Sequence, residues 1–327
     1  MRGRLLLLLP LALAARWVYL WATPLPGGRL HREVRGVYHV HTTRSDGRAT
    51  LGEVAAAAAR DGLDFVVVTD HNVAPLPAQR RQGVLLVYGD EESTPWGHRV
   101  VLSGSRDYVF WAHPGNRRVP WTDWSAPADG IEVSSADDMW RDALRPPWAR
   151  LLLAAADYPA APIEATYRLE EREAGILERY DALTAERRRR LSALCAIDAH
   201  GLPPYPVAFQ TIQLHLPHLK LGGATAADDA RALADALARG DFYCGLDGFA
   251  DASGLALDWS GPVLHVALPS APPSARAVVY CHGREAGSYA LPATLPDAGG
   301  CRLEIRRPDL AARFPRSAGT WILTGTL

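Results

Sequence analysis

The sequence has little of several features that identify common protein classes. Lys220 is the only lysine among 35 basic residues, and the formal net charge is −1. The chain therefore lacks the excess of positive charge typical of nucleic-acid-binding domains, and no nucleic acid partner is expected. Its four cysteines include no C-x-x-C pair, and no Gly-x-Ser-x-Gly motif occurs. These absences argue against a cysteine-based zinc site of that spacing and against a serine nucleophile elbow.

The rest of the composition is that of an ordinary globular protein. Of the 327 residues, 48% are hydrophobic and 22% are charged. This balance allows a hydrophobic core of normal size. The length predicts two domains, or one large domain with an appendage.

The N-terminus is apolar and preceded by positive charge. Arg2 and Arg4 come before an apolar run at residues 5–15, as in a signal peptide. If the run continues to Ala22, it contains Arg16 and is marginal in length for a membrane-spanning helix. A buried first helix is the third possibility. We expect residues 1–28 to be a signal peptide or a membrane anchor plus a linker. The protein would then be periplasmic, or anchored in the cell membrane facing outside the cytoplasm.

A stretch with the spacing of a metal site follows. Residues 36–41 predict a short strand that carries His39 and His41. Residues two apart in a strand point to the same face, and Asp46 lies on the turn that follows. Two imidazoles and a carboxylate near one point suit a metal ion. An exposed strand with an ordinary turn would explain this stretch equally well on its own.

Further apolar strands also end in side chains that bind metals. They are predicted near residues 64–69, 84–88, 108–112, 131–133 and 194–199. Polar side chains at the C-terminal ends of successive parallel strands build the active sites of α/β barrels. The strand ends offer His39, His41, Asp46, His71, Glu91, His113, Asp198 and His200.

Helices and a change of pattern complete the organisation. Thr50 and Glu53 have the spacing of a capping box, and residues 226–240 predict a helix that ends in glycine. Residues 136–191 carry helical patterns and predict an insertion. From about Asp258, alternating segments separated by Pro and Gly predict a small β-sandwich-like domain at residues 258–327.

The cysteines of this last region leave two possibilities open. Cys281 and Cys301 fall on adjacent predicted strands. In an oxidising compartment they can form a disulfide. Free buried thiols fit the sequence as well.

These motifs together resemble the polymerase and histidinol phosphatase (PHP) family of metal-dependent phosphoesterases. The resemblance covers roughly residues 35–250, and the β-rich tail resembles a bacterial subgroup with a C-terminal sandwich domain. It implies an α/β fold, a distorted seven-stranded (β/α) barrel of the PHP type at residues 29–257, with two or three divalent metal ions. The matching segments are His39–His41 with Ser45-Asp46-Gly47, Thr69-Asp70-His71, Gly89-Asp90-Glu91, His113-Pro114 and Ile197-Asp198-Ala199-His200.

The resemblance also implies a division of ligands among the metals. His39, His41, Glu91 and Asp198 would hold one ion. Glu91 would bridge to a second ion held with His113. Asp46, His71 and His200 would hold a third. The second ion needs another ligand, and His98 is the nearest candidate, either as that ligand or beside it; Glu132 and Asp70 are candidates for orienting the imidazoles.

The expected chemistry is hydrolysis with metal ions as cofactors. With no thiolate among the ligands, Mn, Fe or Zn is expected. No protein nucleophile is evident, so the metals are expected to activate a water molecule, with Glu91, Asp198 and His200 as catalytic residues. Arg44 is the candidate for binding the phosphate, and Arg117 and Arg118 lie near the same predicted mouth.

The sequence thus predicts an enzyme, a metal-dependent hydrolase that acts on a small-molecule phosphate ester. Because ligand residues define the metals rather than the substrate, a hydrolase of another ester or a glycosidic bond is the alternative. A non-catalytic metal-binding module is a further alternative. Contact with a membrane is expected through the N-terminus.

Overall fold

A large mixed sheet organises the chain. The computed structural model describes residues 2–24, 33–187 and 190–327. The elements of the first part are α1 (Arg2–Ala22), β1 (Val34–Val40), α2 (Leu51–Arg60), β2 (Phe65–Val68), β3 (Gln79–Arg81), β4 (Val84–Thr94), β5 (Gly97–Ser103), β6 (Asp107–Trp111), β7 (Gly130–Ser135), α3 (Ala136–Ala143), α4 (Ala149–Asp157), α5 (Pro162–Tyr167), α6 (Ala174–Arg187) and β8 (Ser192–Ala196). They are followed by α7 (Tyr205–Ala208), β9 (Gln213–Leu216), α8 (Ala226–Arg239), β10 (Tyr243–Gly245), β11 (Ala256–Ser260), β12 (Val263–Ala267), β13 (Arg276–Cys281), β14 (Arg284–Ala290), β15 (Ala293–Pro296), β16 (Cys301–Arg306), α9 (Pro308–Arg313), a 3₁₀ turn (Pro315–Ser317) and β17 (Thr320–Thr326).

The sheet contains both parallel and antiparallel strands. Its order is β14-β13-β16-β17-β10-β9-β1-β2-β4-β5-β6-β7-β8, and β3 pairs with β4. Strands β1, β2 and β4 are parallel, as are β6, β7 and β8. The expectation of successive parallel strands fails in the middle, where β4, β5 and β6 are antiparallel. Only Pro95 and Trp96 separate β4 from β5, and so short a connection joins antiparallel strands only.

The chain after β8 returns to β1. Ile197 N–H donates to the carbonyl of Tyr38, and Ala199 N–H donates to the carbonyl of His39. His41 N–H donates back to the carbonyl of Ala199. These bonds place the segment that carries Asp198 beside the end of β1. Whether the seven strands close into a barrel stays a prediction.

The two helix signals at residues 50–53 and 226–240 are confirmed. The Thr50 side chain caps α2 by accepting from the backbone N–H of Glu53, and the Glu53 carboxylate accepts from the backbone N–H of Thr50. α8 has the same reciprocal cap at Thr225 and Asp228. It ends at Gly240, whose φ of 72° is a left-handed conformation that glycine adopts without steric cost. Both helices bury an alanine-rich face, and many of these side chains belong to the core that surrounds the sheet.

Helix α1 packs against the helical segment at residues 136–187. The guanidinium of Arg16 forms an ion pair with the fully buried Asp157. The indole N–H of Trp17 donates to the carbonyl of Ala156, and that of Trp21 donates to the carbonyl of Ala160. Among the described residues, no helix combines the length and apolarity that a membrane crossing requires.

The C-terminal strands surround a core of their own. β11, β12 and β15 form a separate sheet, whereas β17 pairs with β10 and so continues the large sheet. Leu264 and Leu295 of the small sheet share this core with Leu303 and Trp321 of the large one. The domain boundary near residue 258 stays a prediction.

Two disulfides each join a pair of strands of the large sheet. Cys281 on β13 is bonded to Cys301 on β16, the pair left open by the sequence. Cys195 on β8 is bonded to Cys244 on β10, a pairing that the sequence did not indicate. The sulfur atoms of all four cysteines are therefore occupied.

Candidate metal centre

The predicted metal ligands lie together where strands of the large sheet end. His39 is on β1, Glu91 on β4 and His98 on β5, whereas the others follow β1, β2, β6 and β8. We call this group the Glu91 cluster. Its members are His39, His41, Asp46, His71, Glu91, His98, His113, Asp198 and His200.

Unusual backbone conformations direct some of these side chains. His39, His113 and Asp198 have φ values of 69°, 29° and 48°. These lie in or near the left-handed region, which costs a residue with a side chain roughly 1–3 kcal/mol and is concentrated at functional sites. His39 is also the extra residue of a bulge, because Tyr38 pairs with Val67 and Val40 pairs with Val68. The bulge, rather than plain alternation, brings His39 and His41 to one point.

Glu91 is the centre of the cluster and is inaccessible to solvent. Its Oε2 lies 3.0 Å from His39 Nε2, 3.2 Å from His41 Nε2 and 3.2 Å from His71 Nδ1. Its Oε1 lies 2.9 Å from His98 Nδ1 and 2.8 Å from His113 Nε2. The two oxygens of one carboxylate thus face two separate groups of imidazoles.

Asp198 and Asp46 complete the cluster on either side of His41. Asp198 Oδ1 lies 3.1 Å from His41 Nε2 and 3.4 Å from His39 Nε2. Asp46 Oδ2 lies 3.3 Å from His200 Nε2 and 3.8 Å from His71 Nε2. The Asp46 side chain is 56% exposed whereas that of Asp198 is 5% exposed. The cluster therefore opens to solvent at Asp46.

The two carboxylates expected to orient imidazoles have different contacts. Glu132 accepts a hydrogen bond of 2.7 Å from His39 Nδ1 and one of 2.6 Å from the backbone N–H of His113. It therefore fixes the His39 ring with Nε2 toward Glu91. Asp70 instead accepts hydrogen bonds from the backbone and hydroxyl of Thr42 and from the hydroxyl of Ser45. Asp70 holds the loop that carries Asp46.

The charges of the cluster depend strongly on one another. Burial opposes ionisation of Glu91, but the surrounding imidazoles, led by His39, outweigh it and hold the pKa of Glu91 well below its usual value. Burial likewise favours neutral His41 and His113, but Asp198 and Glu91 raise the pKa of each to about 9. The pKa of His71 is lowered, mainly by burial. Protons and metal ions would compete for the same imidazole nitrogens.

Several buried atoms at the centre make no hydrogen bond with the described residues. They are Nδ1 and Nε2 of His41, Nδ1 of His113 and Oδ1 of Asp198. Buried polar atoms normally have a partner, so each such case needs an explanation. The groups His39, His41, Glu91 and Asp198, and His41, Asp46, His71 and His200, each have ligand atoms close enough together to share one ion. The donor set therefore fits a divalent cation, and imidazole with carboxylate suits Mn, Fe or Zn.

The arginines predicted near the mouth make contacts outside the Glu91 cluster. Arg44 is half-buried, and its guanidinium donates to the carbonyl of Ala74. Arg117 forms an ion pair of 3.0 Å with Asp142, and Arg118 follows Asn116 in the loop after β6. These contacts do not test phosphate binding by Arg44, which stays a prediction.

The sequence did not single out Asp137 at the cluster. Asp137 offers a carboxylate oxygen near Asp198 and His200. It comes two residues after the end of β7. A carboxylate just after a strand is the same signal that identified the other members, so it was available in the sequence.

The chain is thus a mixed α/β protein with a large sheet and a buried His/Glu/Asp cluster that can hold metal. No family model matches it, and no curated protein matches it. A solved structure that resembles it is a two-domain protein containing a predicted PHP-like metal-dependent phosphoesterase from Bacteroides vulgatus. The identity is 13% and the TM-score 0.39, over 93% of this chain and 98% of that one. So weak a similarity leaves the function to be argued from the site itself.

Proposed function

We propose that the protein is a metal-dependent phosphoesterase that hydrolyses a phosphate ester with water. The observation that carries this proposal is the position of Glu91. Its two oxygens face different imidazoles, as a carboxylate between two metal ions requires. A bridged pair of ions suits phosphoryl transfer because it can stabilise both the attacking and the leaving oxygen.

The residues divide naturally among the proposed ions. His39, His41 and Asp198 surround Oε2 of Glu91, whereas His98 and His113 contact Oε1. The contact of His98 with Oε1 of Glu91 favours His98 as a metal ligand over a residue that only lies beside a ligand. Asp46, His71 and His200 form the third group, on the exposed side. When bound, such ions lower the pKa of water and withdraw charge from the phosphate.

The protein's own groups would position the ester and the water. Asp46 and His200 lie on the open side, where a substrate can approach. Arg48 and Arg141 line the cavity next to them, and Arg141 also pairs with Asp137. We expect these two arginines, together with Arg44, to attract a phosphate. The four cysteines are in disulfides, so we expect no cysteine nucleophile and direct transfer to water.

The experiment is a metal analysis combined with a substrate panel. The full chain is purified, its metal content is measured by mass spectrometry, and Mn, Fe or Zn is added in separate assays. The panel contains phosphate monoesters and diesters, together with carboxylate esters and glycosides. We expect phosphate release with one ¹⁸O atom from labelled water. Hydrolysis of the other esters or glycosides alone would replace the proposal with the alternative hydrolase, and absence of metal would contradict both.

We also propose that the protein works at a membrane surface outside the cytoplasm. The disulfides support an oxidising compartment. The exposed residues from 10 to 22 on α1 carry no charge, because Arg16 is turned toward Asp157. Such a helix can lie in the interface of a bilayer without crossing it. Fractionation of the native cells tests this, and a fully cytoplasmic full-length chain would contradict it.

A further inference from the structure

A cavity of about 490 Å³ adjoins the open side of the Glu91 cluster. Asp46 and His200 belong to both the cluster and the wall of the cavity. Arg48 and Arg141 lie in the same wall. The volume is within the range of about 300–1,000 Å³ that is common for small-molecule sites. A ligand in this cavity would therefore reach the proposed metal ions.

Apart from Asp137, which pairs with Arg141, and Thr166, the rest of the wall is mainly apolar and comes mostly from the helical segment. Trp140 on α3 and Leu151 and Ala154 on α4 face it, together with Leu169 and Leu202. A phosphate and a small polar alcohol would occupy only the charged end. The apolar remainder would stay in contact with water, which is unfavourable unless a ligand covers it.

Exposed apolar side chains lie at the rim of the cavity and on the helices α4 and α1. Leu144 and Leu202, both in its wall, are 57% and 67% exposed. On the outer side of α4, Leu152 and Leu153 are 67% and 48% exposed, and Trp21 of the adjacent α1 is 64% exposed. The exposed side chains of Leu144 and Leu202 make the rim of the cavity apolar.

We propose that the substrate is a phosphate ester of an alcohol with a long apolar chain, and that the cavity holds this chain. The proposal rests on the phosphoesterase activity proposed above. The phosphate lies at the end formed by Asp46 and His200, between Arg48 and Arg141. In the reaction, water oxygen forms a bond to phosphorus and the ester P–O bond breaks. The alcohol leaves with a proton, so the products are inorganic phosphate and the free alcohol.

The test compares ethyl, butyl, hexyl and octyl phosphate as substrates of the metal-loaded full chain, below the concentration at which they form micelles. Burying one methylene group contributes about 0.8 kcal/mol, so kcat/KM should rise about fourfold for each added methylene while the alkyl chain still enters the cavity. Binding of ethyl and octyl phosphonate, which are not hydrolysed, is measured by calorimetry on the same preparation.

A matched pair of variants on α4 tests whether the alkyl chain of the substrate lies in the cavity. Ala155 lines the cavity, so Ala155→Trp fills part of it and should lower the octyl-to-ethyl ratio of kcat/KM at least tenfold. Leu152 lies on the outer side of the same helix, and Leu152→Trp should leave that ratio within about twofold of the wild-type value. Circular dichroism checks that both variants fold.

The possible failures are distinguishable. If ethyl and octyl phosphate are hydrolysed equally well, the proposal that the cavity binds an alkyl chain is overturned and the phosphoesterase proposal stands. If octyl phosphonate binds but no phosphate ester is hydrolysed with any added metal, the phosphoesterase proposal fails and the ligand is not a substrate. If Leu152→Trp lowers the octyl-to-ethyl ratio of kcat/KM as much as Ala155→Trp does, the alkyl chain does not lie in the cavity.

Discussion

Two groups of buried imidazoles and carboxylates lie in this chain, and they are built differently. In the first, which we call the His215 triad, His215 lies between Glu33 and Asp247. Its Nδ1 is 2.7 Å from Glu33 Oε1 and its Nε2 is 2.8 Å from Asp247 Oδ2. Its ring stacks on Tyr243, whose hydroxyl donates to Glu33. In the Glu91 cluster, five imidazoles surround one carboxylate, and several nitrogens make no hydrogen bond to any residue that the structure describes.

The difference indicates which group needs an ion. Both nitrogens of His215 have an acceptor, so a protonated imidazole satisfies the triad completely. Burial lowers the tendency of His215 to be charged, but Asp247 and Glu33 raise its pKa to about 9. In the Glu91 cluster, both nitrogens of His41 and Nδ1 of His113 are buried without a hydrogen-bond partner among the described residues. We therefore expect the triad to stabilise the fold and the cluster to bind metal.

The largest expected effect is on activity and metal content in Glu91→Gln. The amide keeps the size of the side chain but removes the charge that faces both groups of imidazoles. Hydrolysis should fall by several orders of magnitude because activated water and charge stabilisation both depend on the ion pair. Metal analysis should show a larger loss than in His71→Ala, which affects the exposed group and only one side of Glu91.

Glu92→Gln is the matched control for this change. Glu92 is the next residue on β4, and it forms an ion pair with Arg99 on β5 rather than with an imidazole. The control should keep wild-type metal content and rate. Wild-type values in Glu91→Gln, or a phosphorylated protein trapped during turnover, would contradict the proposed role of Glu91.

The second effect is on stability, and it concerns the triad. His215→Ala leaves Glu33 and Asp247 without their shared cation in a buried position. Removing one partner of a buried ion pair costs about 3–5 kcal/mol. Denaturant unfolding should show that loss, whereas the metal content per folded molecule should be unchanged. A loss of metal equal to that of Glu91→Gln would show that the two groups are not separate in function.

The third effect is the pH dependence of the stability that His215 contributes to the fold. The pKa of His215 rises from about 6.5 to about 9 on folding, so its stabilising effect is complete below pH 6.5 and is lost as pH rises through 9. The shift corresponds to roughly 3 kcal/mol. Because other imidazoles titrate in the same window, the quantity to measure is the difference in unfolding free energy between wild type and His215→Gln, with metal present. That difference should shrink between pH 6.5 and 9, and a constant difference would contradict the assignment of a charged His215.

The local features of the Glu91 cluster were predictable, and its three-dimensional arrangement was only partly so. Most members stand at or just after an apolar segment, which is visible in the sequence, whereas Asp46 lies on the turn after β1 and His98 near the start of β5. The bulge at His39 was not predictable, because it depends on the pairing of β1 with β2, which lies farther along the chain. The hairpin of β4 and β5 was not predicted, although only Pro95 and Trp96 separate its two strands. The hairpin is what brings His98 beside Glu91.

The His215 triad shows why the second group was missed. His215 is 182 residues from Glu33 and 32 residues from Asp247 in the sequence. The strand that carries His215, β9, has only four residues. A lone histidine in so short an apolar segment carries no periodic signal. The Cys195–Cys244 disulfide was missed for the same reason, since its strands become neighbours only through packing.

The smallest expected effect separates the two groups most directly. A ligand that binds only the folded state stabilises it by about 2.7 kcal/mol when its concentration is a hundred times the dissociation constant. Added Mn or Zn should therefore raise the unfolding free energy of wild type by about that amount, and a chelator should reverse the change. The gain should disappear in Glu91→Gln, because the ion loses its central ligand. It should persist in His215→Gln, whose lower baseline reflects a group that the metal does not touch. If metal stabilises His215→Gln no more than it stabilises Glu91→Gln, the triad belongs to the metal site, and the difference in hydrogen bonding between the two groups does not separate ligands from structural residues.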